Sequence, residues 1–227
     1  MSAAEPSSSP RARRALLLAL EAPRALFEAG SLAPALPWLA NAPRGDGHAV
    51  LVLPGYLASD VSTRILRAFL RDRGYATHGW GLGRNRGPNA SLLGALRARL
   101  TALSGGGRVS LVGWSLGGVF ARELAKAEPE RVRTVITLGS PFGARAEHRA
   151  APPVPATAIY SKSDGIVPWE SCRELPGART ENIELVGSHC GLGVHPLALF
   201  AIADRLAQPE RAWKPFDRSR WRGALYA

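Results

Sequence analysis

Cysteine is scarce in this 227-residue chain, which holds only Cys172 and Cys190. Two thiols cannot build a disulfide scaffold, although a clasp between them is compatible with the sequence, and no Cys/His spacing suits a metal site. Long apolar runs are lacking too; none approaches the roughly 18 residues that a membrane-spanning helix needs. Lysine is nearly missing. Lys126, Lys162 and Lys214 are the only lysines among 29 basic residues, and against 18 acidic ones the net charge is +11. Such an excess first suggests nucleic acid or an anionic membrane. Yet Arg64, Arg67, Arg71, Arg97 and Arg99 fall on polar sides of separate helical patterns, without interleaved aromatics, and read as solvated helix faces. Hydrophobic residues at 46% and charged residues at 21% describe a globular protein. The length suits one domain with a sizeable core.

Three segments are expected. Residues 1–45 form a Ser/Ala/Pro tail of about ten residues, then one or two short helices with Pro23 as break or first turn, then an irregular stretch around Pro34, Pro37, Trp38 and Pro43. Arg11, Arg13 and Arg14 before the apolar residues 15–20 faintly resemble a secretion signal. Glu21 ends that run and Arg24 follows, so an amphipathic helix is preferred and the cytoplasm is the expected compartment. Residues 46–208 alternate strand and helix patterns. Residues 48–54, which contain a continuous apolar run, and 75–80, 108–113, 132–139, 157–161 and 182–186 read as strands, with helices between them. In the helix at 60–73, Val61, Ile65, Leu66, Phe69 and Leu70 share a face, with Asp60 as N-cap and Gly74 as C-cap; Asn89 caps the next helix. The alternation implies a doubly wound parallel sheet with ligands at the carboxyl ends of its strands. Residues 209–227 form a basic, aromatic tail.

Chemistry concentrates at Gly113-Trp114-Ser115-Leu116-Gly117, a G-x-S-x-G between a strand and a helix. The sharp turn projects the Ser115 hydroxyl, and a side chain at either glycine would collide across it. A serine needs a base to take its proton and an acid to orient that base, and in such a turn-bearing sheet both follow the serine. Among the later histidines, His189 follows the last strand and is the leading base; His195, opening the final helix, is the second choice. Asp164 follows the preceding strand and is the leading acid, with Glu170 nearest as a substitute. Oxyanion donors are expected from the backbone N–H of Leu116 and, in Pro54-Gly55-Tyr56-Leu57, from Tyr56 ahead of Leu57.

These pieces resemble the α/β-hydrolase superfamily, specifically its compact lipase- and esterase-like members, over about residues 46–208. The resemblance implies the α/β-hydrolase fold, a mainly parallel sheet flanked by helices on both faces. It assigns Ser115 as nucleophile, Asp164 as acid, His189 as base, and Tyr56 and Leu116 as oxyanion donors. Such lipases often carry His-Gly where this chain has Pro54-Gly55, which keeps the backbone role and loses a loop-ordering side chain. The segment 140–156 is too short for a cap domain, so an open site is expected, shaped by Pro141, Phe142 and residues 81–88. Leu57, Arg84, Arg86 and Phe142 are candidate substrate-binding residues; the arginines suit an anionic group, or else form a solvated loop.

The expected activity is serine hydrolysis of carboxylic esters through an acyl-enzyme, needing neither metal nor organic cofactor. Alternatives are thioesterase or acyltransferase chemistry on the same residues, or a hydrolase scaffold used only for binding. The expected partner is a small ester or acyl compound, not nucleic acid. In the tail, Arg211, Lys214, Arg218, Arg220 and Arg222 interleave with Trp213, Phe216, Trp221 and Tyr226. Its aromatics are expected to pack on the core with the cations in water, ahead of contact with a membrane surface.

Overall fold

The computed structural model describes residues 10–105, 107–210 and 212–227. Two helices open the chain, α1 (Pro10–Ala19) and α2 (Glu21–Leu39). The core then runs β1 (Ala49–Leu53), α3 (Arg64–Asp72), β2 (Ala76–Gly79), α4 (Leu92–Leu103), β3 (Val109–Trp114) and α5 (Leu116–Ala127). It continues β4 (Val132–Leu138), α6 (Ala146–Arg149), β5 (Ala156–Tyr160), β6 (Thr180–Glu184), α7 (Pro196–Leu206) and α8 (Arg222–Leu225). All six strands pair in parallel, in the order β2-β1-β3-β4-β5-β6. The chain passes from β1 outward to β2 and returns on the other side of β1 as β3. The loops leaving β1 and β3 therefore diverge at a switch point, where α/β sheets open a crevice for ligands.

The apolar strand runs reflect burial on both faces. Val50, Val52, Val112, Ile136 and Ile159 pack with Leu66, Leu70, Leu199 and Ile202 of α3 and α7. Leu51, Leu53, Leu111 and Val135 pack with Leu96, Leu100, Phe120 and Leu124 of α4 and α5. Helices cover both sides, and the connection 140–156 carries only a 3₁₀ turn (Phe142–Ala144) and α6, with no cap domain.

Several local expectations change. Residues 31–39 are helix rather than irregular chain, because α2 continues through Pro34 and Pro37. Both prolines lie on its exposed side, where water can satisfy the freed carbonyls, while Leu32, Trp38 and Leu39 bury against the core. Trp38 stacks on Phe200 of α7 at 4.9 Å. Asp60 does not cap α3, which starts at Arg64; its carboxylate accepts from the N–H of Trp80 (2.9 Å) and Gly81 (3.1 Å) instead. Val61 and Ile65 are consequently exposed. Asn89 holds a turn onto Ser91 just before α4, and Leu93 is left partly in solvent.

The tail closes the outer sheet edge. Ala227 exchanges two backbone hydrogen bonds with Glu184 of β6, and Phe216 and Tyr226 are buried. Not all its cations stay in water: Arg218 donates to the Asn182 carbonyl (2.5 Å) and Arg222 pairs with Asp204 (3.0 Å). The expectations for Arg211 and residues 1–9 lie outside the described residues. Among the described residues no helix is long and apolar enough to cross a membrane. Both cysteines are free thiols, Cys172 buried and Cys190 exposed.

Candidate active site

The turn from β3 into α5 has the sterics that its glycines announce. A Cβ on Gly113 would overlap the backbone of Gly117 and Gly118, and one on Gly117 would overlap the carbonyls of Leu53 and Pro54. Ser115 sits between them at φ 52, ψ −124, a conformation that an L-residue adopts only when its surroundings enforce it. Its N–H donates to Leu138 O of β4 (2.8 Å), which ties the strained residue to the sheet. Gly118 is required as well, since a side chain there would overlap Ser140.

Asp164 and His189 meet beside this turn. Nδ1 of His189 donates to Oδ2 of Asp164 at 2.6 Å, and both side chains are almost wholly buried. The other carboxylate oxygen accepts from the N–H of Ile166 (2.8 Å) and Val167 (2.7 Å), which fixes its plane. Gly139, at φ 52, lets β4 end directly under the pair: a Cβ there would lie 3.0 Å from His189 Nδ1 and 3.2 Å from Asp164 Oδ2. Trp114, the residue before Ser115, donates its indole N–H to the His189 carbonyl (3.1 Å). The serine turn and the histidine loop are thereby joined. Among the described residues Ser115 Oγ and His189 Nε2 share no hydrogen bond. His195 is instead the N-cap of α7, its Nδ1 accepting from Leu197 N–H (3.2 Å), and burial holds its pKa below the ordinary value.

The loop after β1 crosses over the serine, with the Gly55 Cβ position 3.1 Å from Ser115 Cβ. The Leu57 N–H is engaged by Asn85 O (2.7 Å), which removes it as an oxyanion donor, whereas the Tyr56 N–H has no backbone acceptor among the described residues. Leu116 opens α5, so its N–H has no intrahelical acceptor. A cavity of about 410 Å³ starts at Leu116 and runs between α4 and α5, walled by Leu92, Leu96, Val119 and Phe120 and rimmed by Pro141 and His148. The substrate-binding expectations fare differently. Phe142 is fully buried under the Arg122 guanidinium (3.8 Å to its ring centre) and does not line the cavity, a wall supplied by its neighbours Pro141 and Ala144. Leu57, Arg84 and Arg86 are exposed and outside the cavity lining.

A family model for the alpha/beta hydrolase fold matches residues 48–154. The solved pyrethroid hydrolase PytH superposes with a TM-score of 0.57 at 18% identity, over 73% of this chain and 99% of its own. The chain has the α/β-hydrolase fold. Two other similar structures are Aspergillus fumigatus lipase B (TM-score 0.57, 18% identity, 71% of this chain and 52% of that one) and a thioesterase domain from the curacin biosynthetic pathway (0.54, 13%, 70% and 92%). No curated protein sequence matches the chain.

Three polar residues outside the sequence-predicted set brace the loops around Ser115, Asp164 and His189. Asn85, fully buried, donates to Pro54 O (2.9 Å) and accepts from Gly87 N–H (3.0 Å), pinning the loop over Ser115. Glu21 and Glu28 of α2, both buried, bond to the loops that carry Asp164 and His189. The signal for Glu21 was its abrupt interruption of an apolar run; an asparagine between two arginines offers none.

Proposed function

We propose that the protein is a serine hydrolase of carboxylic esters, with Ser115 as nucleophile, His189 as base and Asp164 as acid. The observation that carries this reading is the buried Asp164–His189 hydrogen bond next to a serine held at positive φ. His189 Nε2 takes the Ser115 proton as Oγ attacks the ester carbonyl. Asp164 keeps the imidazole in the tautomer that can accept this proton, and stabilises the imidazolium. The N–H groups of Tyr56 and Leu116 receive the oxyanion, the imidazolium protonates the departing alcohol, and water releases the acyl-enzyme by the reverse path.

The cavity lined by Leu116 suits an apolar acyl chain, since four leucines, Val119 and Phe120 line it together with Pro88, Pro141 and Ala144, beside Asn89, Glu123, Arg145 and His148. Likeness to both a lipase and a thioesterase domain fits an acyl substrate, whether ester or thioester. The test is a series of p-nitrophenyl esters and acyl thioesters of rising chain length. Turnover by the wild type with at least a ~1,000-fold loss in Ser115→Ala supports the proposal; equal rates for both proteins refute it.

A further inference from the structure

The most unusual polar feature outside the proposed triad is carried by α2, a helix that precedes the sheet. Glu21, only 5% exposed, uses one carboxylate to gather three backbone amides. Its Oε1 accepts from Gly165 N–H (2.7 Å) and His189 N–H (3.1 Å), and its Oε2 from Cys190 N–H (3.1 Å). Gly165 follows Asp164 directly. A single side chain thus holds the backbone of the acid loop and of the base loop at once. One turn on, Arg24 donates to Ser163 O (2.8 Å) and Oγ (3.0 Å), on the other side of Asp164. Two turns on, Glu28 accepts from Ser188 N–H (2.6 Å) and Oγ (2.6 Å), immediately before His189. Residues 21, 24 and 28 share one helical stripe, so the whole set is presented rigidly.

The loops are shaped to receive the helices. A side chain at Gly191 would overlap Glu28, and one at Gly165 would lie 2.5 Å from the backbone of α1 at Leu17. Burying a carboxylate is costly unless donors surround it, and loop amides need acceptors when water is excluded. Here each solves the other's deficit at the two loops whose spacing fixes the Asp164–His189 bond.

We propose that Glu21 is a positioning residue of the hydrolytic site, and that α2 is part of the catalytic apparatus. This rests on the serine-hydrolase reading above. Glu21 touches no reacting atom; it acts by fixing the separation of the acid and base loops, with Arg24 and Glu28 flanking it. Displacing an oriented catalytic group by about 1 Å can cost a hundredfold in rate.

The experiment compares wild type, Glu21→Gln and Glu21→Ala. Competent sites are counted by titration with a fluorophosphonate, and kcat and KM for a p-nitrophenyl ester are expressed per titrated site. The expected result is a fall in kcat per site of roughly 10- to 100-fold in Glu21→Ala, with KM changed less than about 3-fold. Glu21→Gln keeps an acceptor for Gly165 and His189 but turns an amide donor toward Cys190 N–H, so its kcat falls to an intermediate value. A role in stability alone would give fewer titratable sites, each at full kcat, and would overturn the proposal. If Glu21→Ala does not fold, Glu21→Gln decides: wild-type kcat per site overturns the proposal, and a fall beyond about 3-fold supports it. A wild-type chain that takes up no fluorophosphonate removes the hydrolase reading itself, before any variant is compared.

Discussion

At Ser115 the chain accepts local strain because each neighbour leaves it no alternative. Gly113 and Gly117 remove side chains that would collide, and the Leu138 carbonyl fixes the amide of Ser115. Asp164 has a comparable rigidity: two amides hold one oxygen and His189 the other. Asp164→Asn keeps this shape but offers an N–H, or a weaker acceptor, to the imidazole and favours the wrong tautomer. The expected consequence is a drop of about 10⁴-fold in kcat at neutral pH with the thermal midpoint nearly unchanged. Steady-state kinetics beside thermal unfolding check this; retention of more than a tenth of the activity would remove Asp164 from the role of acid. That Asp164 and His189 come together was legible in the sequence because strand order and scarcity converge: few aspartates and histidines follow Ser115. The loss of Phe142 from the pocket wall was not legible, since its burial depends on Arg122, which stacks over its ring and pairs with the buried Glu174.

Among the elements, β3, α5 and α7 follow their sequence patterns closely because each alternates or repeats apolar residues against a fully formed core. The start of α3 departs from its pattern because Asp60 bonds the turn after β2, a partner no local window contains. For α2 two prolines argued against a helix, and the reason it persists is long-range packing on α7 together with its carboxylates on the Asp164 and His189 loops. The cavity between α4 and α5 likewise needs both helices in place. Val119 on α5 lies in its wall, 5% exposed. Val119→Trp should therefore shorten the usable chain, lowering kcat/KM for an octanoyl ester by about 10-fold or more and changing that for an acetyl ester by less than about 3-fold. Equal losses on both esters would place the acyl group elsewhere.

For the whole molecule, the excess of arginine proves partly structural. Arg24 anchors α2, Arg133 joins Asp46 to the Gln208 carbonyl, Arg205 pairs with Glu181, and Arg222 ties the tail to Asp204. The net charge alone could not reveal this, because each partner lies far away in sequence. Burial also holds His48, His78 and His195 below the ordinary histidine value of 6.5. The unfolded chain then takes up protons first on acidification, so stability is lost as pH falls from 6.5 toward the folded values. Glu28 acts in the opposite sense, because burial raises its carboxyl above 4.5 and acidification favours its folded form. The interval from pH 7.5 to 5.5 spans the ordinary histidine value and lies above the ordinary carboxylate value, so the histidines set the sign and the urea midpoint is expected to drop across it; a level or rising midpoint would overturn this.

In the proposed mechanism Ser115 is an activated nucleophile. Reaction of the native protein with a fluorophosphonate, followed by peptide mass mapping, tests it most directly. One adduct per chain is expected on the peptide containing Ser115, absent in Ser115→Ala and strongly slowed in His189→Ala. No adduct on the native protein, or an adduct that persists in Ser115→Ala, would contradict it.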